Sequence, residues 1–214
     1  ASVEHAFEPV KRKIFYVANN GAYVGCCGRS LYVYSIEQEL VHRIIKKVRR
    51  YPDLEVVYAG ANGDYLESSN ERLMNWLIES YKFNLTRVDD LLGLDEPCVK
   101  VSIYKSQGIE AASRDIYEEF KDELKMSCAG DMWMDCMAKG VNKGRAIRTI
   151  QESLHIKPEE TMAFGDQLND MEMLEQAYYS FAVANARDEV RKAARFQADS
   201  NENDGVLKIL KHLL

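Results

Sequence analysis

TMAFGDQLNDMEML, residues Thr161 to Leu174, decides how the rest of the chain is read. Thr161-Met162-Ala163-Phe164 is a short apolar run, Gly165 interrupts it, and Asp166 and Asp170 follow with Asn169 between them. From Asp170 onward, Met171, Met173, Leu174 and Ala177 fall at a spacing that suits a helix. The stretch therefore reads as strand, loop and helix, with its polar residues gathered in the loop. In an open α/β sheet, ligands bind at the carboxyl ends of the strands. Two carboxylates at such a point can hold a hard divalent cation such as Mg²⁺, which prefers oxygen ligands and keeps several of its waters. The same residues admit a purely local reading, in which Asp166 ends a turn and Asn169 or Asp170 caps the helix. On this stretch alone both readings stay open.

The composition narrows the class of protein. A chain of 214 residues can form one large domain or two small ones. Its 46% apolar and 29% charged residues are ordinary for a globular protein. The net charge of −6 argues against nucleic acid or an anionic membrane as the main partner. No apolar run approaches the ~20 residues that span a bilayer, and no signal-peptide pattern is visible. Cys26, Cys27, Cys98, Cys128 and Cys136 are odd in number and form no CxxC pair. They read as free thiols, mostly small core residues, in a reducing cytoplasm. His5, His42, His155 and His212 are scattered, so a zinc site is not expected.

Outward from the opening stretch, the pattern predicts alternating elements. Ile14 to Ala18 reads as a strand, Asn19-Asn20-Gly21 as a turn, and Ala22–Val24 with Leu31–Tyr34 as a hairpin around a loose loop from Gly25 to Ser30. Ser35-Ile36-Glu37-Gln38 resembles a capping box, followed by a helix carrying Leu40, Val41, Ile44, Ile45 and Val48, up to about Arg50. Strands are expected at Val56–Tyr58 and Asp64–Glu67. Asn70 is placed to cap a helix bearing Leu73, Trp76, Leu77 and Tyr81. Asp89 to Pro97 reads as a polar connector, and Val99 to Tyr104 alternates like a half-buried strand. A helix is predicted over Glu110–Leu124, with strands at Lys125–Cys128 and Met132–Met137. Beyond Gly140 come a helix from Asn142 to Leu154, with Ala146, Ile147, Ile150 and Leu154 on one face, and then the opening stretch. A strand at Phe181–Val183, a helix over Arg187–Ala194 and a last helix from Val206 to Leu214 complete the chain.

Lys143 falls in the first turn of its predicted helix. A cation there opposes the helix dipole by ~0.3–1 kcal/mol, yet the free N–H groups of the same turn favour an anion. A lysine among them would strengthen a phosphate site; taken alone, it reads rather as a solvated side chain that tolerates the small penalty.

Taken in series, Asn142-Lys143-Gly144, GDQLND around Asp166 and Asp170, Ala184-Asn185-Ala186 and Asn203-Asp204-Gly205-Val206 resemble the haloacid dehalogenase superfamily. Within it they are most similar to the Cof-type branch with a large inserted cap, which YVANNGA, Tyr16 to Ala22, also resembles. The likeness covers nearly the whole chain. It implies an α/β fold with a Rossmann-like parallel core sheet, formed by residues 1–33 and 138–214, and an inserted α+β cap over residues 34–137 that selects the substrate. It implies a Mg²⁺-dependent phosphatase of small phosphorylated metabolites, working through an aspartyl-phosphate. Asp166 would ligate the metal and Asp170 support that metal site. Lys143 would hold the phosphate and the nucleophile, Asn169 would bond the phosphate, and Asn185 and Asn20 would lie at the periphery.

The chain departs from that pattern at one point. The family's nucleophile lies in an N-terminal DxDxT motif, and no D-x-D occurs in these residues. The Ser/Thr motif of the second core strand is missing as well. The expectation is a chain that lacks the first two core strands and is inactive by itself, its nucleophile lying in a segment outside it. The other readings are an inactive fold that binds a phosphorylated ligand or a protein partner, and a phosphomutase.

Overall fold

The computed structural model describes residues 7–10, 12–81 and 84–212 of the chain, so His5, Leu213 and Leu214 lie outside it, as does the side chain of Tyr81. The chain divides into two compact units, Ala1–Val141 and Asn142–Leu214.

The first unit begins with an antiparallel sheet of β1 (Phe15–Ala18), β2 (Tyr23–Cys26) and β3 (Arg29–Val33), in that order. The hairpin between β2 and β3 is tighter than its composition suggested. Cys26 pairs with Arg29, leaving only Cys27 and Gly28 in the turn, with φ of 56° and 75°. Positive φ at both central residues matches the right-handed twist of the flanking strands.

A six-stranded sheet forms the body of this unit. Its strands are β4 (Glu55–Gly60), β5 (Asp64–Leu66), β6 (Leu85–Arg87), β7 (Cys98–Tyr104), β8 (Leu124–Ala129) and β9 (Trp133–Ala138), in the order β6-β5-β4-β7-β9-β8. All neighbours are antiparallel except β5 and β6. On one face, Val41, Ile44 and Ile45 of α1 (Gln38–Val48) and Ile116 and Phe120 of a later helix pack on Tyr58, Val101, Ile103 and Cys136. On the other, Leu73 and Leu77 of α2 (Glu71–Tyr81) meet Val57 and Leu66, with Trp76, Tyr104 and Trp133 around them. β7 is therefore buried on both faces rather than half-buried. Its polar residues look solvent-facing in sequence, but Asp135 satisfies them within the protein. Ser102 Oγ donates to Asp135 Oδ1 at 2.6 Å, and Lys100 Nζ pairs with Oδ2 at 3.1 Å.

Several local expectations are corrected. Ser35 does not cap α1: the helix begins after Glu37, which makes no side-chain cap. The predicted helix over Glu110–Leu124 is two short ones, α3 (Ile109–Ala112) and α4 (Arg114–Phe120). Between them, Ser113 Oγ donates to the Ile109 carbonyl at 2.6 Å, a local bond that competes with helix continuation, and Leu124 already belongs to β8. Asn70 does cap α2, its Oδ1 accepting from Leu73 N at 3.1 Å. Among the five free cysteines only Cys98 and Cys136 are core residues; Cys27 and Cys128 are exposed and Cys26 is half-buried.

The second unit alternates helix and strand: α5 (Lys143–Leu154), β10 (Met162–Gly165), α6 (Met171–Glu175), β11 (Tyr179–Val183), α7 (Asp188–Ala193), β12 (Phe196–Ala198) and α8 (Gly205–Lys211). β10, β11 and β12 pair in parallel, in that order. Ala163, Leu174, Ala182, Val183 and Val190 form its core. Phe164, Phe181 and Phe196 stack across the sheet with centroids 5.1 and 5.2 Å apart. The buried stripe of α5 differs from the predicted one. Ala146 is buried, but Leu154 is 47% exposed. Gln151 is buried instead, its Nε2 donating to Thr161 Oγ1 at 2.8 Å and to the Gln176 carbonyl at 2.9 Å. A polar residue can hold a core position when its hydrogen bonds are met there.

Candidate active site

The site is built where α5 begins. Asn142 has extended backbone angles, and its Oδ1 accepts from Arg145 N at 2.7 Å. That cap starts the helix at Lys143, whose Nζ donates to Asp170 Oδ1 at 2.6 Å. The other oxygen of Asp170 accepts from the backbone N–H groups of Asp166 and Gln167, each at 3.0 Å. Both oxygens are thus engaged, and the residue is only 4% exposed. Burial pushes the Asp170 carboxyl up, but Lys143 and the two N–H groups outweigh it and hold it below the usual carboxylate range. The pair also explains how a lysine is tolerated in a first helical turn: a buried anion offsets the unfavourable dipole. One of the ammonium's three N–H bonds is used on Asp170, and about a third of the Lys143 side chain remains exposed.

The side chain of Asp170 makes no cap on α6, contrary to the local reading. It closes the short turn Leu168–Asp170 by accepting from Gln167 N, and it holds a cation. Asp166 directly follows Gly165 at the carboxyl end of β10. Its carboxylate is half-buried, with Oδ2 accepting from Gln167 Nε2 at 3.3 Å. The Asp166 carbonyl accepts from Arg187 N at 3.0 Å, which ties the loop after β10 to the loop after β11. Asn185 stands exposed in that second loop, its Oδ1 accepting from Asn201 N at 3.1 Å. Asn169 is exposed in the same short turn as Asp170. Hydrogen bonds thus bring together Lys143, Asp170 and Asp166, with Asn169 in the same loop and Asn185 in the adjoining one. Asn20 belongs to the first unit, at φ 53°, where its Nδ2 donates to Met137 Sδ at 3.9 Å.

Gln167 was not singled out in the sequence, although its amide and side chain both brace the loop. Glutamine carries no chemical signature, and only its position between Asp166 and Asp170 marks it.

The donors in the loop are oxygens and amides, without thiol or imidazole, which suits a hard cation. Among the described residues no group of three or more His, Cys, Asp or Glu side chains could hold a metal. Mg²⁺ needs no such cage, since it is commonly bound by one or two carboxylates, waters and substrate phosphates. Asp166 fits the direct ligand. Asp170, with both oxygens occupied, fits a supporting place behind it.

A match to the haloacid dehalogenase-like hydrolases runs over residues 1–210. The chain belongs to this family. Among the relatives of this haloacid dehalogenase-like hydrolase is the 5-amino-6-(5-phospho-D-ribitylamino)uracil phosphatase YbjI of Escherichia coli. It is 29% identical over 211 residues, 96% of this chain and 78% of that protein. The phosphatase of the same description from Bacillus subtilis, YcsE, is 34% identical over 100 residues, 46% of this chain and 40% of that protein. A solved structure from Eubacterium rectale, 30% identical, superposes with a TM-score of 0.90 over 97% of this chain and 80% of that one. Another from Thermotoga maritima, 25% identical, gives 0.86 over 98% and 79%. The mixed α/β fold with its parallel-containing sheet is therefore that of known haloacid dehalogenase-like hydrolases.

Proposed function

We propose that this chain is the larger part of a Mg²⁺-dependent phosphatase acting on small phosphorylated metabolites such as sugar phosphates. The observation that carries the reading is the ion pair of Lys143 with the buried Asp170 beside Asp166, at the carboxyl end of a parallel strand. A buried carboxylate that holds a lysine whose side chain stays about one-third exposed is suited to receive an anion. The phosphatase names of the relatives supply the substrate class, and the ribityl phosphate of the E. coli and B. subtilis proteins is its first candidate.

In this reading the core comprises residues 1–33 and 138–214, and residues 34–137 form a cap that selects the substrate. Asp166 and Asp170 would hold Mg²⁺, Asp166 directly and Asp170 in support, and the ion would supply charge neutralisation at the phosphoryl oxygens. Lys143 grips the phosphate with its remaining N–H bonds, oriented by Asp170. Asn169 donates to a phosphate oxygen, and Asn185 and Asn20 line the periphery. Phosphoryl transfer depends chiefly on positioning and charge stabilisation, which is what these residues provide. The attacking carboxylate comes from outside these 214 residues. It displaces the alcohol to form an aspartyl-phosphate, and water then releases inorganic phosphate. The partner is a small molecule, not nucleic acid or a membrane, and the five free thiols suit a reducing cytoplasm. No helix among the described residues is long and apolar enough to cross a membrane.

The test is phosphate release by the full-length protein from the ribityl phosphate and from p-nitrophenyl phosphate, with Mg²⁺ and with chelator. Turnover that requires Mg²⁺ is expected. Absence of turnover on these and a wider panel of phosphate esters would refute the proposal.

A further inference from the structure

The turn between β2 and β3 places two thiols side by side. In an extended strand successive side chains point to opposite faces, which would hold the sulfurs of neighbouring cysteines apart. Here Cys26 is the last paired residue of β2, while Cys27 opens the turn at φ 56° and Gly28 follows at 75°. The left-handed backbone at Cys27 swings its side chain round, and the sulfurs lie 3.2 Å apart, one thiol donating to the other. Cys27 Sγ also donates to the Arg12 carbonyl at 3.4 Å. Cys27 is exposed and Cys26 half-buried, so both can be reached from solvent.

Two outcomes are chemically open to such a pair: a disulfide, or an atom held between the sulfurs. Geometry decides between them. Consecutive Cα atoms across a trans peptide are about 3.8 Å apart, whereas disulfides span about 4.4–6.8 Å between Cα atoms with sulfurs about 2.0 Å apart. Closing an S–S bond here would strain the peptide; inserting an atom would not. Zinc sites built by proteins ask for three or four ligands, and no third His, Cys, Asp or Glu completes a group here among the described residues. A soft ion satisfied by two thiolates is the remaining fit. With metal–sulfur bonds of about 2.3 Å, a linear S–metal–S unit asks the sulfurs to part to about 4.6 Å, a side-chain rotation open to the exposed Cys27.

We propose that Cys26 and Cys27 form a two-thiolate site for a soft, thiophilic monovalent cation of the Cu(I) class. Binding replaces the two S–H protons with two S–metal bonds and involves no change of oxidation state. The other cysteines offer no such pair, since Cys98 and Cys136 are buried and Cys128 stands exposed on β8.

The chain as it stands is titrated anaerobically with Cu(I) against a chromophoric chelator. One Cu(I) per chain is expected, with near-ultraviolet thiolate-to-copper absorption. Cys26→Ser and Cys27→Ser should each lose both signals, and Cys128→Ser should keep them. Serine is close to cysteine in size, and unchanged circular dichroism excludes misfolding as the cause of loss. Failure of the parent chain to retain copper, or equal retention by the Cys26→Ser and Cys27→Ser variants, would overturn the proposal.

Discussion

Asp170 closes a backbone turn and also holds Lys143, and the consequences of that double duty can be measured. Replacing it with alanine strips the acceptor from two backbone N–H groups and leaves Lys143 unpaired, at a cost of about 2–4 kcal/mol in unfolding free energy. Its carboxyl is held below the ordinary value of about 3.9. The folded state therefore binds fewer protons there than the unfolded one. The stabilisation is complete above pH ~4 and lost as pH falls through the lower, folded value. Asp64 behaves in the opposite sense. Burial pushes it up to about 6, against the opposing charge of Lys100 and with help from Glu96. Its contribution is present below pH ~4 and lost as pH rises through about 6. Denaturation midpoints measured across pH should show Asp64→Asn flattening the profile between ~4 and ~6, while Asp170→Asn acts only at the acid end. An unchanged profile in both variants would mean that neither carboxyl is perturbed. The residues of the site were readable in sequence because carboxylates, a lysine and an asparagine at fixed spacings imply chemistry. That Asp170 is saturated by Lys143, Asp166 and Gln167 was not, because hydrogen-bond partners follow from the folded loop.

Among the elements, α5 and α6 make the closest approach near the site. A Cβ at Gly144 would lie 2.1 Å from the Glu172 carbonyl oxygen and 2.4 Å from its carbon. Gly144→Ala should gain ~1 kcal/mol of helix propensity, yet the clash is with backbone and parts the two helices. Overpacking of this kind costs ~1–3 kcal/mol, and at so short a separation it wins. The expected result is a lower melting temperature and weaker activity in the full-length protein; a stabilised variant would show that the helices are free to separate. Long periodic helices such as α1 and α2 were legible from their apolar spacing. The three-residue strands β6 and β12 were not, since so short a run has no period to read. Leu154 misled for a different reason: Gln151 takes the inward position through hydrogen bonds to Thr161 and Gln176 that hydrophobic periodicity does not register.

At the scale of the whole molecule, the family match over residues 1–210 and the phosphatase relatives set the frame within which Lys143, Asp166 and Asp170 acquire roles. These residues contain no D-x-D sequence, so the 214-residue chain by itself should release no phosphate from p-nitrophenyl phosphate, because no attacking carboxylate completes the site. Mg²⁺-dependent turnover by the purified chain would contradict that. In the full-length protein, Lys143→Ala should lower kcat by at least ~10²-fold, as loss of other groups that stabilise transition-state charge does, and Asn185→Ala should do less. The most direct test of the account is the steady-state turnover of the full-length Asp166→Asn variant beside the parent, at saturating Mg²⁺. The account predicts that Mg²⁺-dependent phosphate release is abolished while the fold, judged by circular dichroism, is kept; turnover equal to the parent's would remove Asp166 from the metal site and contradict it.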